Sequence, residues 1–464
     1  MPMTAIILAA GEGTRMKSAH PKVMHRLLDR PLVSWVTRAA REAGAERIVV
    51  VVGNGAQEVR DHLSAEKDVE CVEQAQRLGT GHAVRVVLEA TGIDAGPVVV
   101  LNGDLPLVSA QTVRQFADSV ADGACAASVL TMCPPDPHGY GRIQLAEDGT
   151  VSAIVEQKDC TPEQDATLLE CNAGCYAFDG ALLARYVGQI GNDNAQGEYY
   201  LPDMVSILRE AGHATTHVRC ADYREGLGVN SRAQLAQLSC IARDQINARL
   251  MGQGVTMLDP AQVWVGPDVT VGRDTTLLPM TMLWGSTTVG EGCLVGPNTR
   301  LTDCTVADDV TLEETVGVDV TIDSGVTCGP RAYLRGGAHV MEGAHIGTHV
   351  ELKNTVVGRG SKVPHLSYMG DCTMGSGVNI GGGSITCNYN GVSKNRTTIG
   401  DDVFVGSDTM MVAPVTIGDG AIVGASSCIT KDVPADALAI ERNEQRIVEG
   451  YASKRLERLR REDA

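Results

Sequence analysis

Hydrophobic and polar positions follow two different rhythms along this chain. Up to residue 229, short unbroken apolar runs at 5–8, 48–52 and 98–101 alternate with longer stretches, such as 32–43 and 81–90, whose apolar residues recur at helical spacing. Runs of that kind, separated by amphipathic helices, predict a layered α/β domain with a mostly parallel sheet over residues 1–229. In such sheets ligands lie beyond the carboxyl ends of the strands. Residues 11–15 follow one run and residues 102–104 follow another, so both should open onto the same edge. Residues 230–250 then read as one linking helix, with Leu235, Leu238, Ile241 and Leu250 on its apolar stripe.

Residues 251–464 form a second domain, built of short polar-and-glycine units carrying one aliphatic residue every sixth position and ending in a C-terminal tail. The cleanest run is Ile399, Val405, Met411, Ile417, Val423 and Ile429, with Gly400, Gly406, Gly418 and Gly424 directly after four of them. Val265-Gly266, Val271-Gly272, Val289-Gly290, Val295-Gly296 and Val357-Gly358 keep the same unit. That period suits neither a helix nor an amphipathic strand. It predicts a parallel β-helix in which each unit supplies a short strand, an inward aliphatic and a corner, with roughly 18 residues per coil and about ten coils. After Ile380 the phase returns one residue late across 384–394, which predicts a loop leaving the coil. Residues 454–461 form a basic helical tail, read as a solvated end. The pattern resembles the left-handed hexapeptide β-helix, whose members pack as homotrimers. The handedness comes from that resemblance, since the usual crossover is right-handed.

Length and charge narrow the functional classes. A chain of 464 residues can bury more than one core. A net charge of -18 argues against broad binding to nucleic acid or to an acidic membrane, so anionic substrates need local positive pockets. The apolar run at 5–10 is too short for a signal or membrane span and has no basic leader. None of the 14 cysteines forms a C-x-x-C pair, which fits reduced thiols in a cytoplasmic protein.

The chemistry of the first half begins at its first loop. Gly11 and Gly13 let backbone N–H groups close on phosphate oxygens, and Arg15 and Lys22 add a planar fork and a compact charge. Met16 stands where a dinucleotide fingerprint needs a third glycine, and no Gly-Lys-Ser/Thr closes a P-loop. With Thr14-Arg15-Met16 and Pro21-Lys22 attached, the segment resembles the signature loop of the sugar-nucleotide pyrophosphorylases. Asp104 and Asn230 suit a magnesium ion, although a turn aspartate and a helix-capping asparagine would look the same. The resemblance implies that these two hold Mg2+. It also implies a nucleotide site for UTP at Leu8, Ala9, Gly11, Lys22, Gln74, Gly79 and Thr80, with Gln74 reading a pyrimidine edge. Gly141, Glu156 and Asn172 would contact an N-acetylated sugar, and Asn230 the UDP-sugar. The fold expected is a Rossmann-like nucleotidyltransferase domain, with Arg15 and Lys22 stabilising the leaving pyrophosphate.

In the second half His365 is the candidate base, because an amine acceptor must lose a proton to accept an acetyl group. An isolated hydrogen-bonded structural histidine would read alike, but Arg335, Lys353, Tyr368, Asn379, Asn388, Tyr389 and Lys394 surround it in sequence. These residues resemble the acetyltransferase site of the bifunctional N-acetylglucosamine-1-phosphate uridyltransferase/glucosamine-1-phosphate acetyltransferase family, and the resemblance covers nearly the whole chain. It implies that the cations, with Tyr368 and Asn379, bind glucosamine 1-phosphate and that Glu351 orients His365. Asn388, Tyr389, Ser407, Ala425 and Arg442, with Lys431 as the weakest, would face acetyl-CoA. Glu12, Asn102 and Gly337 depart from residues common in the family. The implied product, made from N-acetylglucosamine 1-phosphate and UTP, is UDP-N-acetylglucosamine, with the family's association with the cell envelope. A second reading keeps the nucleotidyltransferase but makes the β-helix a regulatory or trimerising module, and a third, non-enzymatic, treats the β-helix mainly as a trimerising scaffold for partners. A zinc site at His339, His345 and His349 needs converging ligands, whereas their spacing should put them on different faces.

Overall fold

The computed structural model describes residues 2–194 and 196–462. The chain divides into two compact units, Met1–Gln245 and Ile246–Ala464.

The first unit is built on a nine-stranded sheet. Its main order is Thr215–Arg219, Ala127–Met132, Cys171–Asp179, Pro97–Asn102, Met3–Leu8, Ala45–Val52 and Val69–Glu73. Only Cys171–Asp179 runs antiparallel to its neighbours along that path, and the hairpin Arg142–Leu145/Val151–Val155 hangs from it. Alternation explains the apolar runs. Ala5, Ile7, Ile48, Val50, Val52, Val99 and Leu101 fill a core on one face, packed under the helices Leu32–Glu42 and Ala110–Ala121. Ile6, Val49, Val51, Val98 and Val100 fill the other, under Thr80–Thr91, Gly180–Tyr186 and Asp203–Glu210. With both faces covered, such strands need apolar residues at consecutive positions. Leu8 pairs in register with Asn102, so the loops after these two parallel strands leave the same edge side by side.

The long helix spans Arg232–Gly252 and so begins after residue 230. Leu235, Leu238 and Ile241 pack with Met16, Leu27, Leu32, Leu107 and Val229, which ties this part of the helix to the first unit rather than leaving it as a free linker.

The second unit is a parallel β-helix with three faces, of eleven, ten and nine short strands. The six-residue period sets its interior: Val265, Leu277, Leu283, Val295, Leu301, Val405, Met411, Ile417 and Val423 are all fully buried. Corner hydroxyls are buried too and donate to backbone carbonyls, as Thr275 does to Gly290 at 2.8 Å and Ser361 to Gly375 at 2.7 Å. A small polar residue therefore satisfies a carbonyl where the chain turns. The phase slip after Ile380 is a loop between Ile385–Cys387 and Thr397–Ile399, with an isolated Tyr389–Lys394 bridge inside it. Tyr451–Glu462 is an exposed helix, and no helix among the described residues is long and apolar enough to cross a membrane.

Candidate functional site

The first loop and the wall around it enclose a cavity of about 810 Å³ beyond the carboxyl ends of the strands. Leu8, Ala9, Gly11, Lys22, Gln74, Gly79, Thr80, Asp104 and Asn230 all line it. Arg15 does not; it lies exposed on the Thr14–Met16 turn, whose Met16 is buried against the long helix. Gly13 has φ +61°, and a Cβ there would come within 2.6 Å of Lys22 Cβ, so the glycine is what lets Lys22 approach.

Lys22 Nζ donates to the Asp104 carboxylate and, at 3.1 Å, to Asn230 Oδ1. One carboxylate and one amide oxygen, 126 positions apart in sequence, thus converge on a single cation. The Val229 N–H donates to the Asp104 carbonyl at 3.0 Å and brings the two segments together. Two oxygen donors of this kind, beside space for phosphates and water, fit a divalent cation of the magnesium type.

Opposite stands the wall formed by residues 74–82. Gln74, 4% exposed, donates from Nε2 to the Gly79 carbonyl and to His82 Nδ1, both at 3.0 Å. Residues 78–81 are zipped to 199–201: Tyr199 N–H to Leu78 O at 2.8 Å, Gly81 N–H to Tyr199 O at 2.8 Å, and Leu201 N–H to Thr80 Oγ1 at 3.0 Å. Glu12, on the first loop, pairs with Arg77 at 2.7 Å.

A second cavity, of about 200 Å³, shares Asn102, Asp104 and Asn230 with the first and is lined further by Gly139, Gly141, Glu156 and Asn172. Asn172 is held by Tyr176 Oη at 2.7 Å and by the Gly174 N–H at 2.8 Å, at a β-bulge. Asn102 donates to the Gly174 carbonyl at 3.0 Å. Sequence reasoning missed Arg142. Its guanidinium is 1% exposed and donates to the carbonyls of Pro137 and Tyr140, both at 2.6 Å, and to Asp165 at 2.8 Å, so it clamps the loop that carries Gly139 and Gly141. The signal was a charged residue at the start of a strand.

In the second unit the centre of the polar cluster is Asp371, which sequence reasoning also missed. It is 7% exposed and accepts from Lys353 Nζ at 2.8 Å, Asn354 Nδ2 at 2.7 Å and Asn388 Nδ2 at 2.6 Å. Burial pushes its pKa up, but these donors outweigh that and hold it below the usual carboxylate range. Asn388 also reaches Tyr368 Oη at 3.4 Å. Lys394 is depressed by the neighbouring Lys353 ammonium, whereas Lys353 is raised by its bond to Asp371, so an anion beside the pair would relieve Lys394.

His365 ends the strand Lys362–His365, exposed, with its Cβ 3.3 Å from where a side chain on Gly382 would begin. Glu351 differs from the expectation. It stands on a neighbouring face and accepts from Arg335 Nη1 at 2.8 Å, not from His365. Arg335 and Glu351 belong to adjacent parallel strands, where Glu351 faces Tyr333 and Arg335 faces Lys353, so the guanidinium reaches the carboxylate diagonally across the same face. Asn379 pairs between Lys362 and Phe404 on the His365 face. Tyr389 is exposed on the loop, its hydroxyl on the Gly391 carbonyl at 2.6 Å. Arg442 donates to the Ala425 carbonyl at 3.0 Å, while the Ser407 carbonyl accepts from Ser426 N–H at 2.7 Å. Lys431 is exposed. His339 and His345 lie on different faces; His339 pairs with Asp323 at 3.0 Å, His345 with Thr327 at 2.7 Å, and His349 with Arg331 at 3.3 Å. The described residues hold no cluster of three metal-ligating side chains.

Comparison with known proteins agrees with this division. Residues 5–146 match the MobA-like NTP transferase domain, and residues 396–431 match the bacterial transferase hexapeptide of six repeats. The chain is similar to a protein of Streptomyces avermitilis named bifunctional protein GlmU, 48% identical over 98% of this chain and 95% of the relative. Relatives of the same name occur in Kineococcus radiotolerans, 48% identical over 97% and 92%, and in Geobacter sulfurreducens, 44% identical over 97% and 98%.

Proposed function

Because this chain belongs to the family of bifunctional GlmU proteins, we infer that its two units catalyse successive steps toward UDP-N-acetylglucosamine. The left-handed β-helix acetylates glucosamine 1-phosphate from acetyl-CoA. The α/β unit then transfers a uridylyl group from UTP to N-acetylglucosamine 1-phosphate and releases pyrophosphate. The observation that carries the first-half assignment is the pair of adjoining cavities that share Asn102, Asp104 and Asn230. A nucleotide in the larger and a sugar in the smaller would meet at their phosphates beside the two cation-binding oxygens.

In uridylyl transfer a phosphate oxygen of the sugar attacks the α-phosphorus in line and pyrophosphate departs. No general base is required, since the attacking oxygen is already anionic at neutral pH. Gly11 and its neighbours cradle the phosphates with backbone N–H groups. Lys22 supplies charge beside them, and Arg15 on its exposed turn stabilises the leaving pyrophosphate. Mg2+ held by Asp104 and Asn230 would neutralise charge on the reacting phosphates. Gln74, Gly79 and Thr80 hold the base, while Gly141, Glu156 and Asn172 hold the sugar. A Cβ on Gly79, where φ is +106°, would lie 2.5 Å from the Tyr199 carbonyl oxygen. Gly79→Ala is therefore expected to raise the KM for UTP on the order of tenfold. Initial-rate assays check this; an unchanged KM would show that the wall yields.

In acetyl transfer the amine nitrogen attacks the thioester carbonyl, forming the N–C bond as the C–S bond breaks. His365 takes the amine proton and the thiolate of CoA regains one. Lys353, Lys394 and Arg335, the last held by Glu351, receive the sugar phosphate together with Tyr368 and Asn379. Asn388 positions the acetyl group, with Tyr389, Ser407, Ala425 and Arg442 toward CoA. Asp371→Asn would leave Lys353 without its carboxylate and set an amide donor against Asn354 or Asn388. Its expected effect is a rise of roughly 10- to 100-fold in the KM for glucosamine 1-phosphate. A KM unmoved by this change would remove Asp371 from the positioning of the site.

A homotrimer and a cytoplasmic location complete the proposal. Phe404, Ile422 and Leu438 stack in register on one face of the last coils and are 49%, 48% and 64% exposed, an apolar ladder that suits burial against another copy. The deciding assay supplies Mg2+, glucosamine 1-phosphate, acetyl-CoA and UTP and follows thiol and pyrophosphate separately. Release of both, with pyrophosphate dependent on acetyl-CoA, is expected. Pyrophosphate from N-acetylglucosamine 1-phosphate and UTP, without thiol from the amine, would reduce the β-helix to a scaffold.

A further inference from the structure

Gln74 follows the strand Val69–Glu73 and presents its amide to the larger cavity. Nε2 carries both amide hydrogens, and both are spent inside the protein, on the Gly79 carbonyl and on His82 Nδ1. Oε1 has no partner among the described residues, so the atom left for a ligand is an acceptor. The reverse flip would press Oε1 against the Gly79 carbonyl oxygen, losing that bond and setting two acceptors together. His82 can accept at Nδ1 only as the neutral ring with its proton on Nε2. Burial lowers its pKa first, and Arg85 adds to that, while Glu89 on the same helix opposes it. From the other side the ring faces Tyr199 at 6.3 Å, over which Arg85 is stacked at 5.3 Å.

We propose that His82 is a positioning residue: by accepting from Gln74 Nε2 it holds Gln74 Oε1 toward the base and thereby selects uracil over cytosine. Uracil N3 carries a hydrogen and can donate to Oε1, whereas cytosine N3 is itself an acceptor and would face another acceptor. A site that leaves a polar atom unpaired against the wrong base discriminates far better than one that relies on shape. The proposal rests on the uridylyl-transfer reading above and adds to it what decides the base.

The test uses the full chain with Mg2+ and N-acetylglucosamine 1-phosphate, and compares kcat/KM for UTP and CTP. His82→Leu is expected to lower the UTP/CTP ratio roughly tenfold, chiefly through the KM for UTP, with kcat held within about twofold. His82→Asn, which keeps a carbonyl acceptor at this place, is expected to hold the ratio within about threefold of the unaltered chain. An unchanged ratio in folded His82→Leu overturns the proposal. Gln74→Leu separates the two levels: if it too leaves the ratio unchanged, reading of the base by Gln74 fails, and if the unaltered chain does not turn over UTP, the uridylyl assignment itself fails. Should His82→Leu not fold, the unaltered chain decides. Protonation makes Nδ1 a donor, and because burial and Arg85 hold the ring below the ordinary histidine range, the UTP/CTP ratio should hold at neutral pH and fall as pH drops below about 6.5. Titration of the nucleotide phosphates is common to both substrates and cancels in the ratio. A flat profile would overturn the proposal.

Discussion

Asp104→Ala is expected to lower uridylyl transfer by on the order of 10³-fold while acetyl transfer continues. The carboxylate lies where the two cavities meet and is 8% exposed, and it supplies the only formal negative charge in the pair that converges on Lys22 Nζ. Removing it leaves Asn230 as a lone neutral oxygen, too little to hold a divalent cation beside polyphosphate. It also releases Lys22, whose ammonium would move to the phosphates without the opposing carboxylate. The measurement is pyrophosphate release from UTP and N-acetylglucosamine 1-phosphate across a Mg2+ titration, with circular dichroism to confirm the fold. Undiminished turnover would remove Asp104 from the cation site. A defect repaired by excess Mg2+ would assign it to binding the ion rather than to the reaction.

His365→Ala is expected to lower acetyl transfer by roughly 10²- to 10⁴-fold, the usual contribution of a positioned base, and to spare uridylyl transfer. The ring is exposed and has no hydrogen-bond partner among the described residues. Its loss therefore opens no core cavity and strands no buried donor, which separates a chemical effect from a structural one. Thiol release from acetyl-CoA and glucosamine 1-phosphate reads the first activity, and pyrophosphate release from preformed N-acetylglucosamine 1-phosphate reads the second. Loss of both in a folded protein would contradict two independent sites. Retention of acetyl transfer would leave His365 a surface residue and move the search for the base elsewhere in the coils.

Much of this was legible in one dimension. The apolar runs at 48–52 and 98–101 lie inside the strands Ala45–Val52 and Pro97–Asn102, and the stretch at 81–90 lies inside the helix Thr80–Thr91. The six-residue period carried the β-helix, its three faces and even the loop after Ile385–Cys387, because one missed beat displaces every later side chain. These features are periodic, and burial imposes the same rule at each repeat. Most of the residues that line the larger cavity were legible too, since one loop and the ends of parallel strands share an edge by topology.

Pairing within the sites was not legible. His82 next to Gln74, Arg142 under the loop at 137–141, and Asp371 between Lys353 and Asn388 are single residues with no period. Glu351 took Arg335 as its partner because adjacent coils place the two side chains on one face, about 16 positions apart, while His365 stands on another. Sequence by itself determined the elements, the two architectures and the family resemblance, because hydrophobic periodicity and glycine corners act locally and repeat. Tertiary structure alone decided which donor meets which acceptor, because a hydrogen bond depends on a few tenths of an ångström between segments that only the completed fold brings together.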